Sequence, residues 1–508
     1  MQILELSVLS GPNYWSIRRP NLIQMKLDLE ELEERPTNTI NGFLERLKKM
    51  LPSMIEHHCS EGVRGGFFMR VKDGTWMGHV IEHLALELQS LAGMECGFGR
   101  TRSTGEREGV YYVVFECLEE EAGLYTARAA VSLAQALIDG TDYDLEADIQ
   151  QLRDFWKATR LDPFTSSIVA EAAKRNIPYI RLNKDSLIQL GYGVHQKRIR
   201  VVNASTTLSI EVEEASGNII TIPLPEAAEV PVTNGMMVRH EAQPVMDKLF
   251  PKGSDGRIPI IAVTGTSGKT ITTHITAHIA RTAGKKVGFT TSDGIYIPNQ
   301  QMIKSNTTGP ATAQLVLKNP TVDFAVLACA RDGILKGGLG FQQSHVAIVT
   351  NVAAENLGMD GIHSVERLVR LKQVVPETVS KGGYAILNAD DDLVYGMKDE
   401  LDCKIALFCM NGDHPRIQEH SNKGGKACVY ENGYITLLKE NRKERVLPAN
   451  DIPFTEGGKA AHHIAHVLPA VLSTWLFNDI SIDDIRQALL TFIPSAAIPP
   501  GPAQLLSA

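Results

Sequence analysis

Cysteine is scarce. Seven thiols (Cys59, Cys96, Cys117, Cys329, Cys403, Cys409 and Cys428) are spread over 508 residues, with no CxxC pair. That number and spacing argue against a disulfide framework and against a structural zinc site, so reduced and mostly buried thiols are expected. Long apolar runs are also missing. No stretch approaches the roughly 18 apolar residues of a membrane helix, and the opening MQILELSVLSGPNYW has no basic segment leading into an apolar one. A cytoplasmic protein with no membrane partner is expected. Neither sign of charge dominates: Lys+Arg is 51 and Asp+Glu is 59, a net −8, which supplies no global field for nucleic acid. The 43% hydrophobic and 22% charged content is that of a globular chain. At roughly 150 residues per domain, the length predicts about three domains.

The pattern along the chain is α/β. Residues 1–160 read as one N-terminal module, with a strand at Ile3–Leu9 and helices at Ile40–Met50, Trp76–Leu91, Ala122–Ile138 and Leu145–Thr159. A β-rich run occupies Val110–Phe115. Residues 161–222 predict a helix at Ser166–Arg175, then short strands at Pro178–Leu182, Arg198–Asn203 and Thr206–Val212. Residues 223–256 read as Pro-rich and irregular, ending in a Gly253–Gly256 linker. From Ile258 the pattern is doubly wound. Apolar strands at Pro259–Val263, Phe324–Leu327, Val346–Thr350 and Tyr384–Leu387 alternate with Gly- or Asp-rich loops and helices, which predicts a largely parallel sheet.

One loop carries chemistry on its face. Gly265, Thr266, Ser267, Gly268, Lys269 and Thr270 follow a strand and open a helix. Glycines let backbone N–H groups approach phosphate oxygens, and the helix N-terminus adds partial positive charge. Lys269 would reach the outer phosphates and the Thr270 hydroxyl would ligate Mg²⁺. The spacing is shorter than GxxxxGK[ST], because Ala262 holds the first glycine position. The competing reading is an ordinary strand-to-helix turn.

This loop resembles the ATP-binding loop of Mur-type ligases, and other segments resemble the cyanophycin synthetase family more closely. They are Thr291–Tyr296, Thr307–Pro310, Arg331–Lys336, Gly338–Phe341 and Leu387–Asp391 in the second half, and Gly11–Trp15, Ser60–Arg64, Gly74–His79 and Gly191–His195 in the first. The resemblance implies an N-terminal domain, an ATP-grasp ligase that extends a polyaspartate backbone, and a Mur-like ligase that adds arginine to its side chains. Each ligase uses ATP and Mg²⁺ to make an acyl phosphate. Homo-oligomers, Asp-Arg polymer (cyanophycin) or Asp-Arg peptides as partners, and association with a full-length synthetase are implied too.

Against that pattern the middle is missing. Leu161–Val212 looks like the start of the ATP-grasp module and Ala242–Pro251 like its far end, with only residues 213–241 between. The expected domains are therefore 1–160, a truncated remnant with linker at 161–250, and a Mur-like domain at 251–508 without the final lid. The Mur-like half is altered too. Ser267 stands for the family's phosphate-loop Asn, Ala328 for its metal-binding Glu, and Glu355-Asn356 for an Asp-His pair. His466 stands for an adenine-contacting Asn, on a helix interrupted by Pro469, and Pro500-Gly501-Pro502 for Pro-Gly-Arg. Lys372 aligns with a lysine often carbamylated in Mur-type enzymes, and Asp390 with a ribose-contacting Asp.

The N-terminal module holds a second constellation, His79-Val-Ile-Glu82-His83. On a helix His79 and His83 are i and i+4 and share one face. They could hold Zn²⁺ while Glu82 acts as general base on a bound water, an inverted HExxH. Glu87, the next step of the stripe, or Glu116 would be the third ligand. The competing reading is that the two histidines simply pair with Glu82. Some family members carry a hydrolytic site in this domain. His57-His58-Cys59 is not expected to converge on an ion, and the Leu29–Glu34 acidic run reads as a solvated helix face. Arg64, Arg70, Arg100 and Arg102 could meet acidic groups of a polymer. Three functions stand open: a ligation-deficient binding or assembly module, a metallohydrolase using Glu82, and an ATP-dependent amide ligase.

Overall fold

The computed structural model describes residues 1–493, apart from 20, 184–185, 205–206, 224–236, 299, 306, 355–356 and 441. The expectations for Glu355-Asn356 and Pro500-Gly501-Pro502 therefore lie outside the described residues. The chain divides into two compact units. The first comprises Met1–Arg160 with Leu335–Gly338 and Asn356–Arg367, and the second comprises the rest. No described helix is long and apolar enough to cross a membrane. None of the seven cysteines forms a disulfide, and five of them are buried.

The first unit is built on an antiparallel sheet of β1 (Gln2–Ser10), β2 (Asn21–Asp28), β3 (Gly99–Ser103) and β4 (Val110–Glu116), in the order β1-β2-β4-β3. One face of β2 and β4 sends Ile23, Met25, Val113 and Phe115 into a core against helices Met77–Leu91 and Glu120–Asp139. The first of these helices is apolar on most sides, and its polar residues Glu82, His83 and Glu87 are buried with it. Buried polar groups require partners, and theirs define the first site. The acidic run folds as a 3₁₀ turn, Glu30–Glu34, with Leu32 buried.

The second unit holds two sheets. The smaller consists of β5 (Tyr179–Arg181), β6 (Ile188–Leu190), β7 (Lys197–Ala204), β8 (Thr207–Glu214) and β9 (Ile219–Pro223), all antiparallel. Helices Pro163–Lys174 and Met237–Leu249 cover it, sharing a core of Phe164, Ile168, Ile199, Val212, Val245 and Met246. The second helix corrects the expectation of irregular chain over 223–256 at residues 237–249; residues 224–236 of that stretch lie outside the described residues. Pro244 lies inside it and costs about 3 kcal/mol. Burial of Val245, Met246 and Leu249 contributes roughly 1.5–3 kcal/mol each, which outweighs it.

The larger sheet contains β10 (Ile260–Thr264), β11 (Val287–Thr290), β12 (Ile295–Ile297), β13 (Gln300–Ile303), β14 (Phe324–Ala328), β15 (Ser344–Val349), β16 (Val379–Asn388), β17 (Lys404–Cys409), β18 (Lys426–Glu431), β19 (Tyr434–Lys439) and β20 (Arg442–Pro448). Its order is β13-β12-β11-β14-β10-β15-β16-β17-β18-β19-β20. Strands β11 to β18 run parallel in that order, and antiparallel hairpins finish both edges. The sheet is thus mixed, with the expected parallel centre. Strand β10 is paired with β14 on one side and β15 on the other. The chain leaves it where connections diverge to the two sides, the usual place for a ligand in an open α/β sheet.

Candidate functional site

At the C-terminal end of β10 the backbone turns through Gly265 (φ 148°) and Gly268 (φ 80°) into the helix Lys269–Thr282. Glycine is required at 265, where a Cβ would lie 1.9 Å from Thr350 Oγ1. The loop is tied to the end of β15. Thr266 N donates to Asn351 O at 2.9 Å and Ser267 N to Asn351 Oδ1 at 3.0 Å, while the Thr350 hydroxyl donates to Ser267 O at 2.6 Å. The helix N-terminus has no side-chain cap. Lys269 Nζ folds back onto Gly265 O (2.8 Å) and Thr266 O (3.0 Å). Thr266–Ile271 and His466 line an open recess here. A phosphate group fits this cradle, held by helix N–H groups and Lys269.

The donors for a metal are less complete. Thr270 Oγ1 lies 2.7 Å from Ser292 Oγ, which lies 3.2 Å from Asp293 Oδ1. Ala328 ends β14 in register with Val263, and brings a buried methyl. The described residues thus fit a phosphate and offer an incomplete set for Mg²⁺.

The other residues predicted here are placed as follows. His466 packs over Gly268, and burial pushes its imidazole down to about 4, helped by His463 and His462. The helix that carries it, Ala461–Trp475, runs through Pro469 without interruption, which corrects the expectation. Its buried face (Ile464, Val467, Leu468, Val471) holds the turn that lacks one hydrogen bond. Asp390 accepts from Met410 N (2.7 Å) and from the Cys409 thiol (2.9 Å), so both its oxygens are engaged within the fold. Lys372 is buried.

In the first unit, His79 and His83 share one face of Met77–Leu91, as the i, i+4 spacing requires. The side chain found beside them is neither predicted carboxylate but a thiol. Cys59, His79 and His83 bring one ligand atom each to within 4.8 Å of one another. Glu87 instead meets His57 Nε2 at 2.8 Å and accepts from Ser53. Burial alone would raise its carboxyl, but those two contacts bring it below its ordinary value. Glu116 pairs with Arg19 at 2.9 Å and accepts from Gly97 N and Phe98 N. Of the tripeptide His57-His58-Cys59, Cys59 alone belongs to this group of donors. A turn at Cys59 (φ 52°) aims its Sγ at His79 Nε2, 3.4 Å away, while His57 Nδ1 lies 2.9 Å from His83 Nδ1. The tripeptide was visible in the sequence; its turn was not.

Burial holds His79 down to about 4 and His83 lower still, which favours the neutral imidazole, the form that ligates a metal. One thiol and two imidazoles are zinc donors by chemistry. Tetrahedral ligands sit roughly 3.5 Å apart at ordinary bond lengths, so the set would need a side-chain shift of about 1 Å to hold an ion. Glu82 lies against β3. It accepts from Thr101 Oγ1 at 2.6 Å, and a Cβ on Gly99 would strike its carboxylate at 2.4 Å. Burial raises Glu82 to about 7, against the pull of Thr101 and Arg100.

Comparison with known proteins follows the two units. Residues 24–139 match the cyanophycin synthase-like N-terminal domain, and residues 263–437 match the Mur ligase middle domain. Cyanophycin synthetase of Synechocystis sp. is 34% identical over 738 aligned positions, which include 100% of this chain and 84% of the relative. This chain belongs to the cyanophycin synthetase family. That family consists of ATP-dependent amide ligases, with ATP and Mg²⁺ as its cofactors and aspartate and arginine as its substrates. Cyanophycin synthetase of Trichormus variabilis is equally similar, 34% identical with 100% and 82% covered. Since 508 residues face 738 aligned positions, about 230 positions of the Synechocystis cyanophycin synthetase have no counterpart here. Among solved structures, MurF from Acinetobacter baumannii matches over 46% of each chain, at 20% identity and a TM-score of 0.32.

Proposed function

We propose that this member of the cyanophycin synthetase family binds Asp-Arg polymer, or assembles with a full-length synthetase, without ligating. The observation that carries this reading is Ala328. It ends β14 beside the phosphate loop, where the resemblance calls for a metal-binding carboxylate. A methyl cannot hold Mg²⁺ against a γ-phosphate, and phosphoryl transfer without the metal loses several kcal/mol of charge stabilisation. The 230 unmatched positions fit the absence of an ATP-grasp core between residues 213 and 241. Lys269 and the uncapped helix still suit a nucleotide phosphate, which would then serve structure or regulation. In the decisive assay, purified chain, ATP, Mg²⁺, arginine, aspartate and a polymer primer are incubated together. No elongation is expected, while the chain sediments with insoluble polymer. ATP-dependent incorporation of arginine or aspartate would overturn the reading and restore that of an active ligase.

The Cys59–His79–His83 cluster supports a second reading, that of a hydrolase of the same polymer. Zinc there would lower the pKa of a bound water toward 7. Glu82, raised to about 7, could accept a proton near neutral pH. The chain with and without added zinc, and its Glu82→Gln variant, are compared for release of soluble peptides. Zinc-dependent release lost in the variant is expected on this reading, and absence of release in every sample removes it.

A further inference from the structure

The recess over the phosphate loop, about 370 Å³ and open to solvent, is lined by Thr266–Ile271 and His466. These residues bring one ammonium, hydroxyls and an imidazole, and no carboxylate. A protein that takes a phosphate together with Mg²⁺ holds the ion with a carboxylate or two besides the phosphate oxygens. Around this recess such groups are replaced or engaged. Ala328 presents a buried methyl. Asp293 turns one oxygen to the Ser292 hydroxyl (3.2 Å) and the other to His274 Nε2 (3.3 Å), and the Thr270 hydroxyl lies 2.7 Å from Ser292 Oγ. A recess without carboxylates does not repel a bare phosphate, so no cation is needed to bring one in.

His466 adds a donor from a second element. Its helix, Ala461–Trp475, packs against the loop's own helix, Lys269–Thr282. The ring lies so close over Gly268 that a Cβ there would fall 2.6 Å from Nδ1, and glycine at 268 leaves it that room. Among the described residues its nitrogens meet no hydrogen-bond partner. Burial holds the group down to about 4, so near pH 7 the ring is neutral and carries one N–H to donate. That N–H, the Lys269 ammonium and the uncapped N–H groups of the helix all border one space. Three kinds of donor around a carboxylate-free recess suit an anion with many oxygens.

We infer that this recess binds linked phosphates as the metal-free anion, with His466 donating to them beside Lys269 and the loop N–H groups. The triphosphate of a nucleotide and inorganic tripolyphosphate share that chemistry. The inference rests on the reading of Ala328 proposed above, and gives the retained loop a ligand that phosphoryl transfer does not require.

Calorimetric titration of the full chain with ATP and with tripolyphosphate, each in EDTA and in millimolar Mg²⁺, tests the inference. Saturable binding in EDTA is expected, no weaker than in Mg²⁺. Lys269→Ala and His466→Phe should each weaken it about ten-fold or more, with circular dichroism reporting the fold. His466→Phe keeps a ring over Gly268 without its donor, whereas His466→Gln keeps a donor and should bind more tightly than His466→Phe. Tighter binding of ATP identifies a nucleotide as the source, and equal or tighter binding of tripolyphosphate identifies the phosphate chain alone. Absence of binding in EDTA overturns the inference, as does a gain of about ten-fold on adding Mg²⁺, affinity unchanged in His466→Phe, or equal losses in His466→Phe and His466→Gln. The elongation assay is run in parallel. Mg²⁺-dependent binding without elongation removes the inference and keeps the proposed function; metal-free binding together with elongation does the reverse.

Discussion

His57 Nε2 lies 2.8 Å from Glu87 Oε2, so Glu87 is engaged by His57, whereas Cys59 lies with His79 and His83. Zinc content after equilibration with excess metal distinguishes the two residues. Cys59→Ala is expected to lose stoichiometric zinc. Glu87→Gln is expected to keep about one ion per chain and to bind it up to about 10–100-fold more weakly, as outer partners of a ligand do. Stoichiometric zinc in Cys59→Ala would return the third place to a carboxylate.

Phe67 stacks on His83 with ring centroids 4.2 Å apart and planes at 28°, and is fully buried. Phe67→Ala should cost about 3–5 kcal/mol in urea unfolding. Phe67→Leu should cost less and keep the fold while leaving the imidazole less constrained. Zinc affinity measured in Phe67→Leu should fall although no ligand has been touched.

The phosphate loop predicts two contrasting variants. Gly265→Ala meets both an unfavourable φ and the Thr350 hydroxyl, so a loss of about 2–4 kcal/mol is expected in chemical unfolding. Lys269→Ala should leave stability within about 1 kcal/mol and abolish the rise in melting temperature produced by millimolar ATP. A thermal shift that survives in Lys269→Ala would place the nucleotide elsewhere.

His466 gives a pH dependence. Its imidazole titrates near 6.5 in the unfolded chain and about 4 in the folded one, chiefly because it is buried. Between those values the unfolded state binds more protons, so stability falls as pH drops from 6.5 toward 4 and is flat outside that window. The shift sets a ceiling of about 3 kcal/mol, which residual solvent contact at the partly exposed ring reduces to about 1–2 kcal/mol. The difference in unfolding free energy between wild type and His466→Asn, measured from pH 4 to 7, should trace that slope.

Much of the architecture was legible because apolar periodicity and glycine placement reflect local forces. The helix predicted at Leu145–Thr159 has those bounds, and the loop at Gly265–Thr270 opens a helix as its spacing requires. Strand β2 and the edge hairpin β18–β19–β20 were not anticipated. Their pairing depends on partners distant in the chain, and sequence alternation alone does not reveal such partners. The same holds at the Cys59–His79–His83 cluster. His79 and His83 were predictable from the helical repeat, whereas Cys59 reaches them only through a left-handed turn. No residue type at that position announces the turn. Glu87 has the right spacing and chemistry, and is taken by His57, which sequence spacing does not place beside it.

The small module at Leu161–Phe250 has a consequence for ancestry. Its first helix and its last share one core, and Arg175 ties them, at 2.8 Å to Asp247. The strand that ends at Pro223 and the helix that begins at Met237 both close on that core. Whatever chain length once connected them, or is spliced between them now, the flanks retain their own packing. A longer or shorter connection at this point would therefore leave the hydrophobic interior as it is.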